Sequence, residues 1–247
     1  SYMQIKKLFI ALGIVLPLHM QGQNFLIKDA PEVIESYVNQ FNREDNELYK
    51  QDIPNCGASD FLRKNIPFFE CPDKELEKTY YFRWWTYRKH IKKTPDGFVI
   101  TEFLPDVPWA GKYNTISCAA NHHFYEGRWL RNAEILSDYA SFWFSGSGSP
   151  RLYSFGAADA IYNYYLIHND KMLLADLYPK LKDNFAKWEE EKRDSTGMFW
   201  QVDDRDGMEM SVSGHLSEGG RGYRPTINSY MYGEAVALAK NSFNSRS

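Results

Sequence analysis

The chain has 247 residues, a formal net charge of -3, 43% hydrophobic and 16% aromatic content. That length can bury one sizeable core, and the slightly acidic balance excludes the basic face that nucleic-acid binding requires. Neutral or small substrates are favoured, and so many rings raise the question of whether some line a site as well as fill a core.

Residues 1–22 come first. Lys6 and Lys7 precede an apolar run from Leu8 to Leu18, followed by a short polar exit. The run is shorter than the roughly 20 residues of a membrane-spanning helix and has the layout of a secretory signal peptide. A mature chain starting near Gln23, exported to the periplasm or the exterior and free of the membrane after cleavage, is the expectation. Export permits a disulfide, and Cys56 and Cys71, which enclose a short loop, are the expected pair. Cys118, beside Ser117 and Ala119, reads as a buried free thiol.

Past the signal segment the periodicity is helical. Apolar stripes run through Leu76, Tyr80, Trp84, Tyr87 and Ile91, through Trp129, Ala133, Leu136, Ala140 and Trp143, and through Leu174, Leu177, Leu181, Phe185 and Trp188. Shorter stripes join Ile116, Ala119 and His123; Ala158, Ile161 and Tyr165; and Ile227, Met231, Ala235 and Leu238. With residues 30–48 as the first, about seven helices are predicted. Only residues 97–103, GFVITEF, read as strand, in a small hairpin.

The connections are unequal. Gly127 alone separates the third helix from the fourth, and Asn169-Asp170 separates the fifth from the sixth, so both pairs are tight hairpins. The connections 94–114, 145–153 and 194–224 are long, and in a stack of antiparallel hairpins all three emerge on one face. Irregular Trp-, Tyr- and acid-containing segments gathered at one end of a helical scaffold are the expected place for a site. The connection 49–72 breaks the pattern, because it belongs on the opposite face. The class expected is all-α, a toroid of (α/α)6-type helical hairpins, and an incomplete one. A closed ring of six hairpins needs on the order of 350 residues at about 11–12 per helix plus connections.

Most of the chemistry-bearing residues lie in residues 199–224. Asp203, Asp204, Asp206 and Glu209 precede a Gly-rich run and Arg221 and Arg224. Glycoside hydrolysis ordinarily uses two carboxyl groups across the scissile bond, and a partly dry pocket suits the one that donates the proton. Glu209, between Met208 and Met210, has the least polar neighbours of the four; the aspartates suit capping, pairing with Arg205 or binding hydroxyls. Trp109, Tyr113 and Asn114 end one long connection, and Trp200, Tyr223 and Arg224 belong to another, so their shared face makes them candidate sugar contacts. Arg221 and Arg224 suit either a substrate carboxylate or neutralisation of the nearby acids. Adjacent His122 and His123 point to different sides of a helix and do not make a metal pair. SGSGSP at 145–150 lacks the lysine of a phosphate-binding loop, and no G-x-S-x-G is present. No metal or other cofactor is expected.

The stretch GMFWQVDDRDGMEMSVSG followed by GRGYRPTINSYMYGEAVALA resembles the acid-bearing segment of six-hairpin glycosidases, the family 63-like and mannosylglycerate-hydrolase-like group related to trehalases. YYFRWWTYRKHI at 80–91 and PWAGKYNTISCAANHHFYEGRWL at 108–130 are similar to exported members of the same group. The resemblance covers most of the chain beyond residue 22. It implies inverting hydrolysis of a glycosidic bond in an oligosaccharide or glycan. It places Gly207-Met208-Glu209 on the tripeptide that carries the general acid, with Asp206 in reserve; Glu stands where better-known members have Asp. It also implies that the catalytic base belongs to a later hairpin, so a chain ending at Ser247 would lack it. The competing expectation, from a different class, is a non-catalytic carbohydrate-binding helical array with the same aromatic face.

Overall fold

The computed structural model describes residues 30–144, 146–208 and 220–244. The expected signal segment and Glu209 lie outside the described residues. Within them are eight α-helices: α1 (Ala30–Glu44), α2 (Ala58–Asn65), α3 (Lys74–Lys89), α4 (Ser117–Gly127), α5 (Glu134–Phe144), α6 (Ala157–His168), α7 (Lys171–Lys192) and α8 (Pro225–Asn244). Two small antiparallel ribbons complete the order, β1 (Ile91–Thr94) with β2 (Gly97–Ile100), and β3 (Gln201–Val202) with β4 (Arg221–Gly222). The fold is all-α and built of helical hairpins, as the periodicity predicts.

Local chemistry sets the boundaries. Asp73 caps α3 by accepting from the N–H groups of Glu75 and Leu76 at 3.1 and 3.2 Å. Asn169 closes α6 in the left-handed conformation and Asp170 opens α7 by accepting from Leu173 N at 3.0 Å, so two residues suffice to reverse the chain. Gly127 does not act alone at the other expected tight turn. Arg128–Ala133 intervene, held by Leu130 N on Gly127 O (2.9 Å) and Arg131 N on Asn65 O (2.8 Å).

Side-chain partners give the helix directions. Tyr37 with Glu77, Asn42 with Trp85 and Asp45 with Lys89 advance together, so α1 and α3 are parallel. Arg83 with Glu126 and Tyr87 with His123 O advance oppositely, so α3 and α4 are antiparallel. Arg128 meets Asn163 while Tyr125 meets Asp159, which makes α4 and α6 parallel. α4 packs on α6 and α6 on α8, while α5 and α7 form the other row. The helices alternate in direction, and the connections after α3, α5 and α7 share one end, as expected.

The apparent exception at 49–72 is resolved by α2. It descends between the parallel α1 and α3, an eight-residue helix too short to show a persuasive stripe. It also explains the cysteines: Cys56, Cys71 and Cys118 are all free thiols. Cys56 precedes α2 and Cys71 follows it, and a helix of that length spans about 12 Å, beyond the reach of a disulfide. The expected Cys56–Cys71 bridge is therefore not formed.

Other expectations shift for packing reasons. α1 ends at Glu44 rather than 48. Ile91 leaves the helical stripe for β1, where it pairs with Ile100, and the strand predicted over 97–103 stops at Ile100. Leu76 and Trp129 are 53% and 46% exposed, so neither belongs to the core stripe to which it was assigned. The main core centres on Tyr81, Phe124, Tyr139, Trp143 and Tyr164. A second cluster of Trp188, Phe199, Ile227 and Met231 joins α7, the following connection and α8. No helix among the described residues is long and apolar enough to cross a membrane.

Close packing of α3 on α4 generates a prediction. A Cβ at Gly127 would lie 2.9 Å from Tyr87 Cζ and 3.3 Å from Leu136 Cδ1. Gly127→Ala is expected to destabilise the chain by about 1–3 kcal/mol, read as a lowered Tm; Gly127→Ala combined with Tyr87→Leu should lose less than the sum of the two single variants.

Candidate functional site

The three long connections meet. Lys112 Nζ donates to Asp96 Oδ2 at 2.6 Å and to Ser147 Oγ at 3.2 Å, which joins the first to the second. Tyr153 N donates to Ser117 Oγ at 3.0 Å, and the Arg205 guanidinium lies 5.0 Å from the Tyr153 ring centroid. Ser154 joins the second to the third: its N–H donates to Arg205 O at 2.8 Å and its hydroxyl to Asp206 Oδ1 at 2.6 Å.

The acid segment is held from both sides. β3 pairs with β4 through Gln201 opposite Gly222 and Val202 opposite Arg221, and Asp203 N continues the contact to Gly220 O at 3.1 Å. A short 3-10 turn, Asp204–Asp206, follows, and Gly207 ends it at φ 69°, a left-handed conformation that favours glycine. Met208 N then returns to Asp203 O at 3.0 Å.

The acids differ in environment. Asp203 is fully buried and forms an ion pair with the buried Arg224. Arg224 thus neutralises an internal acid, one of the two roles that the sequence suits it for. Asp206 is buried with no ion pair to a cation among the described residues, and burial raises its carboxyl above the ordinary aspartate range, against hydrogen bonds from Ser154 and Thr226. Its Oδ2 has no well-formed hydrogen bond among the described residues. A buried carboxyl raised above its ordinary range, hydrogen-bonded near the starts of α6 and α8, is chemically suited to general acid work.

The remaining expected contacts divide. Trp109 is 53% exposed, edge-on to Phe103, and Tyr223 is 54% exposed with its hydroxyl on Asp194. Tyr113 is half-buried at φ 59°, with Lys112 Nζ 4.7 Å from its ring centroid. Arg221 is exposed and lies 3.8 Å from the Trp200 ring centroid, and Lys192 lies 3.9 Å from the same centroid. Trp200 thus already carries two cations. Asn114 turns inward: its side chain donates to Phe103 O and Pro105 O and accepts from Val107 N, all at 3.0 Å. It shapes the connection that carries Trp109 and presents no free amide to a sugar.

Sequence reasoning missed the residues behind the site. Tyr125 donates its hydroxyl to Asp159 Oδ2, and Asp159 N donates to Glu234 Oε1 at 3.0 Å, which ties α4, α6 and α8 together. Glu234 is fully buried, and burial pushes its carboxyl up to about 8; the charge of Asp159 adds to this while N–H groups of Asp159 and Ala158 oppose it. A signal was present: Glu234 sits between Met231 and Leu238 on the apolar stripe of α8, where an acid is out of place. Among the described residues no group of three or more His, Cys, Asp or Glu could hold a metal ion.

Residues 112–242 match a family model described as the mannosylglycerate hydrolase MGH1-like glycoside hydrolase domain. A solved structure named a sialidase superposes with a TM-score of 0.80 at 40% identity, over 87% of this chain and 20% of that one. The chain thus spans about a fifth of the length of that solved protein. No curated protein matches.

The Glu234 environment fixes a pH dependence. Its folded-state affinity for the proton exceeds that of an unfolded glutamic acid near 4.3, so its contribution is fully present below that pH and is lost as pH rises toward 8. Glu234→Gln removes the ionisation. Its Tm should exceed that of the unaltered chain at pH 8 and approach it at pH 5; parallel curves across that range would contradict the assignment.

Proposed function

Because the chain belongs to the mannosylglycerate hydrolase MGH1-like glycoside hydrolase family over residues 112–242, we propose that it hydrolyses a glycosidic bond in an oligosaccharide or glycan by inversion, with the proton supplied from the acid segment. The observation that carries this reading is Asp206: buried, raised by burial, its Oδ1 fixed by Ser154 Oγ at 2.6 Å. In this reading the carboxyl protonates the leaving oxygen. A water activated by a second carboxylate attacks the opposite face of the sugar ring, the two carboxyls standing roughly 6.5–9.5 Å apart. The resemblance that favours Glu209 for the same role makes it the rival to Asp206. Both follow one connection whose β3–β4 pairing and Asp203–Arg224 ion pair fix its start.

Exposed Trp109 and Tyr223, at the same end of the helices, support stacking on the apolar C–H faces of a sugar. Arg221 suits a hydroxyl or carboxylate at the rim. The charged, apolar and polar order of residues 1–22 supports export before the enzyme meets its glycan.

A panel of aryl glycosides assayed with the full-length gene product tests the proposal. Turnover should fall about 10²–10⁴-fold in the variant that removes the proton donor, Asp206→Asn or Glu209→Gln, and by much less in the other. The first product anomer seen by NMR should be the inverted one. Retention of configuration would refute inversion, and binding of glycans with no turnover of any of them would favour the non-catalytic array.

A further inference from the structure

Three cations gather around Trp200 and Tyr153 beside the acid segment. Trp200 N donates to Lys192 O at 2.9 Å, which sets the end of α7 against the chain that enters β3. On the other side of that chain β3 pairs with β4, with Val202 opposite Arg221. Side chains two apart in extended chain share a face, so Trp200 joins Val202 on the face that Arg221 also occupies. Lys192 Nζ accordingly lies 3.9 Å and the Arg221 guanidinium 3.8 Å from the Trp200 ring centroid. Arg205 stands over Tyr153, 5.0 Å from its ring centroid, near enough for its charge to act on Lys192.

The acids nearby are engaged elsewhere. Arg151 pairs with Glu191 at 3.2 Å, Arg193 with Glu189 at 2.6 Å and Arg224 with Asp203. Asp194 accepts from the hydroxyls of Thr196 and Tyr223. Among the described residues Lys192, Arg205 and Arg221 form no ion pair. Burial lowers the hold of the Lys192 ammonium on its proton, and the charges of Arg221 and Arg205 lower it further against Glu191. Contact with the indole holds each charge in place and does not cancel the repulsion between them. Arg221 is exposed, and Lys192, Trp200 and Arg205 are half-buried, so the charges are open to a ligand. In a chain of formal net charge -3, unpaired cations drawn together in this way call for an anion from outside the fold.

The shape of the cluster selects among anions. A carboxylate presents two oxygens in one plane, which a single guanidinium fork engages. A tetrahedral ester presents three acceptor oxygens that point apart, which suits cations arriving from α7, from the 3-10 turn and from β4. We propose that Lys192, Arg205 and Arg221, arranged around Trp200, bind a tetrahedral oxyanion ester, a sulfate or phosphate group carried by a sugar. The sugar rests on the glycosidase reading above; the anion site stands on the three cations. Arg205 is the chain neighbour of Asp206, so the ester is held beside the acid segment and the site selects an anionic glycan over a neutral one.

Calorimetric titration of the full chain with the sulfate and the phosphate ester of glucose at its primary hydroxyl, with glucose and glucuronate as controls, tests this. At least one ester should bind about tenfold or more tightly than both controls, and the one that does identifies the source of the anion. Its affinity should weaken with added salt. It should fall about tenfold in Arg221→Ala and in Lys192→Gln, and keep most of its value in Arg221→Lys, which retains the charge. Arg221 is exposed, so its variants keep the fold. Binding is read without turnover, so a chain that binds an ester yet cleaves no glycoside counts against the hydrolase reading alone. Esters that bind no better than glucose, or glucuronate that binds as tightly as they do, would overturn the proposal. So would binding unmoved in both Arg221→Ala and Lys192→Gln.

Discussion

Two hydrogen bonds from Ser154 fix the end of the molecule where its acids lie. The backbone N–H takes Arg205 O and the hydroxyl takes Asp206 Oδ1, so the start of α6 and the 3-10 turn before Gly207 become one unit. This contact exists only because the helices alternate in direction. Alternation brings the connections after α5 and α7 to the same end, and the short α2 keeps the alternation intact through the long first connection. The second hydrophobic cluster, Trp188 with Phe199, Ile227 and Met231, then holds the same segment against α7 and α8 from below.

Buried charge is handled in two ways at this end. Asp203 is given a cation, Arg224, and the pair is closed off from water. Asp206 and Glu234 are given hydrogen-bond donors but, among the described residues, no cation, and burial raises both. The first arrangement fixes the chain path; the second raises the affinity of the carboxyl groups for their protons. Neighbouring acids only three residues apart in sequence, Asp203 and Asp206, thus differ in chemical character through their environment alone, one ion-paired and the other raised by burial.

Much of this was legible in the residues. Stripes with a 3.6-residue period gave the long helices, and the unequal connections gave the shared end, because both follow from local patterns. The short α2 was not legible, since eight residues carry too little periodicity, and its absence from the reading made Cys56 and Cys71 look like neighbours. Asn114 and Arg224 were read as candidate sugar contacts because their connections share one face, with neutralisation of the nearby acids as the other reading of Arg224. Their actual partners, Phe103 O, Pro105 O and Asp203, depend on a fold of the connection that no spacing rule supplies. Ser154 and Asp159 were invisible for the same reason: each acquires its role from a partner 52 or 75 residues away.

The central claim is that burial beside Ser154 raises the Asp206 carboxyl of the acid segment above the ordinary aspartate range. Carboxyl carbon NMR of the chain, with the Asp206 resonance assigned by its loss in Asp206→Asn, measures this directly. The account predicts a titration midpoint above the ordinary aspartate value of about 3.9, moving higher still in Ser154→Ala as the hydrogen bond to Oδ1 is removed. A midpoint at or below that value, unmoved by Ser154→Ala, would contradict it.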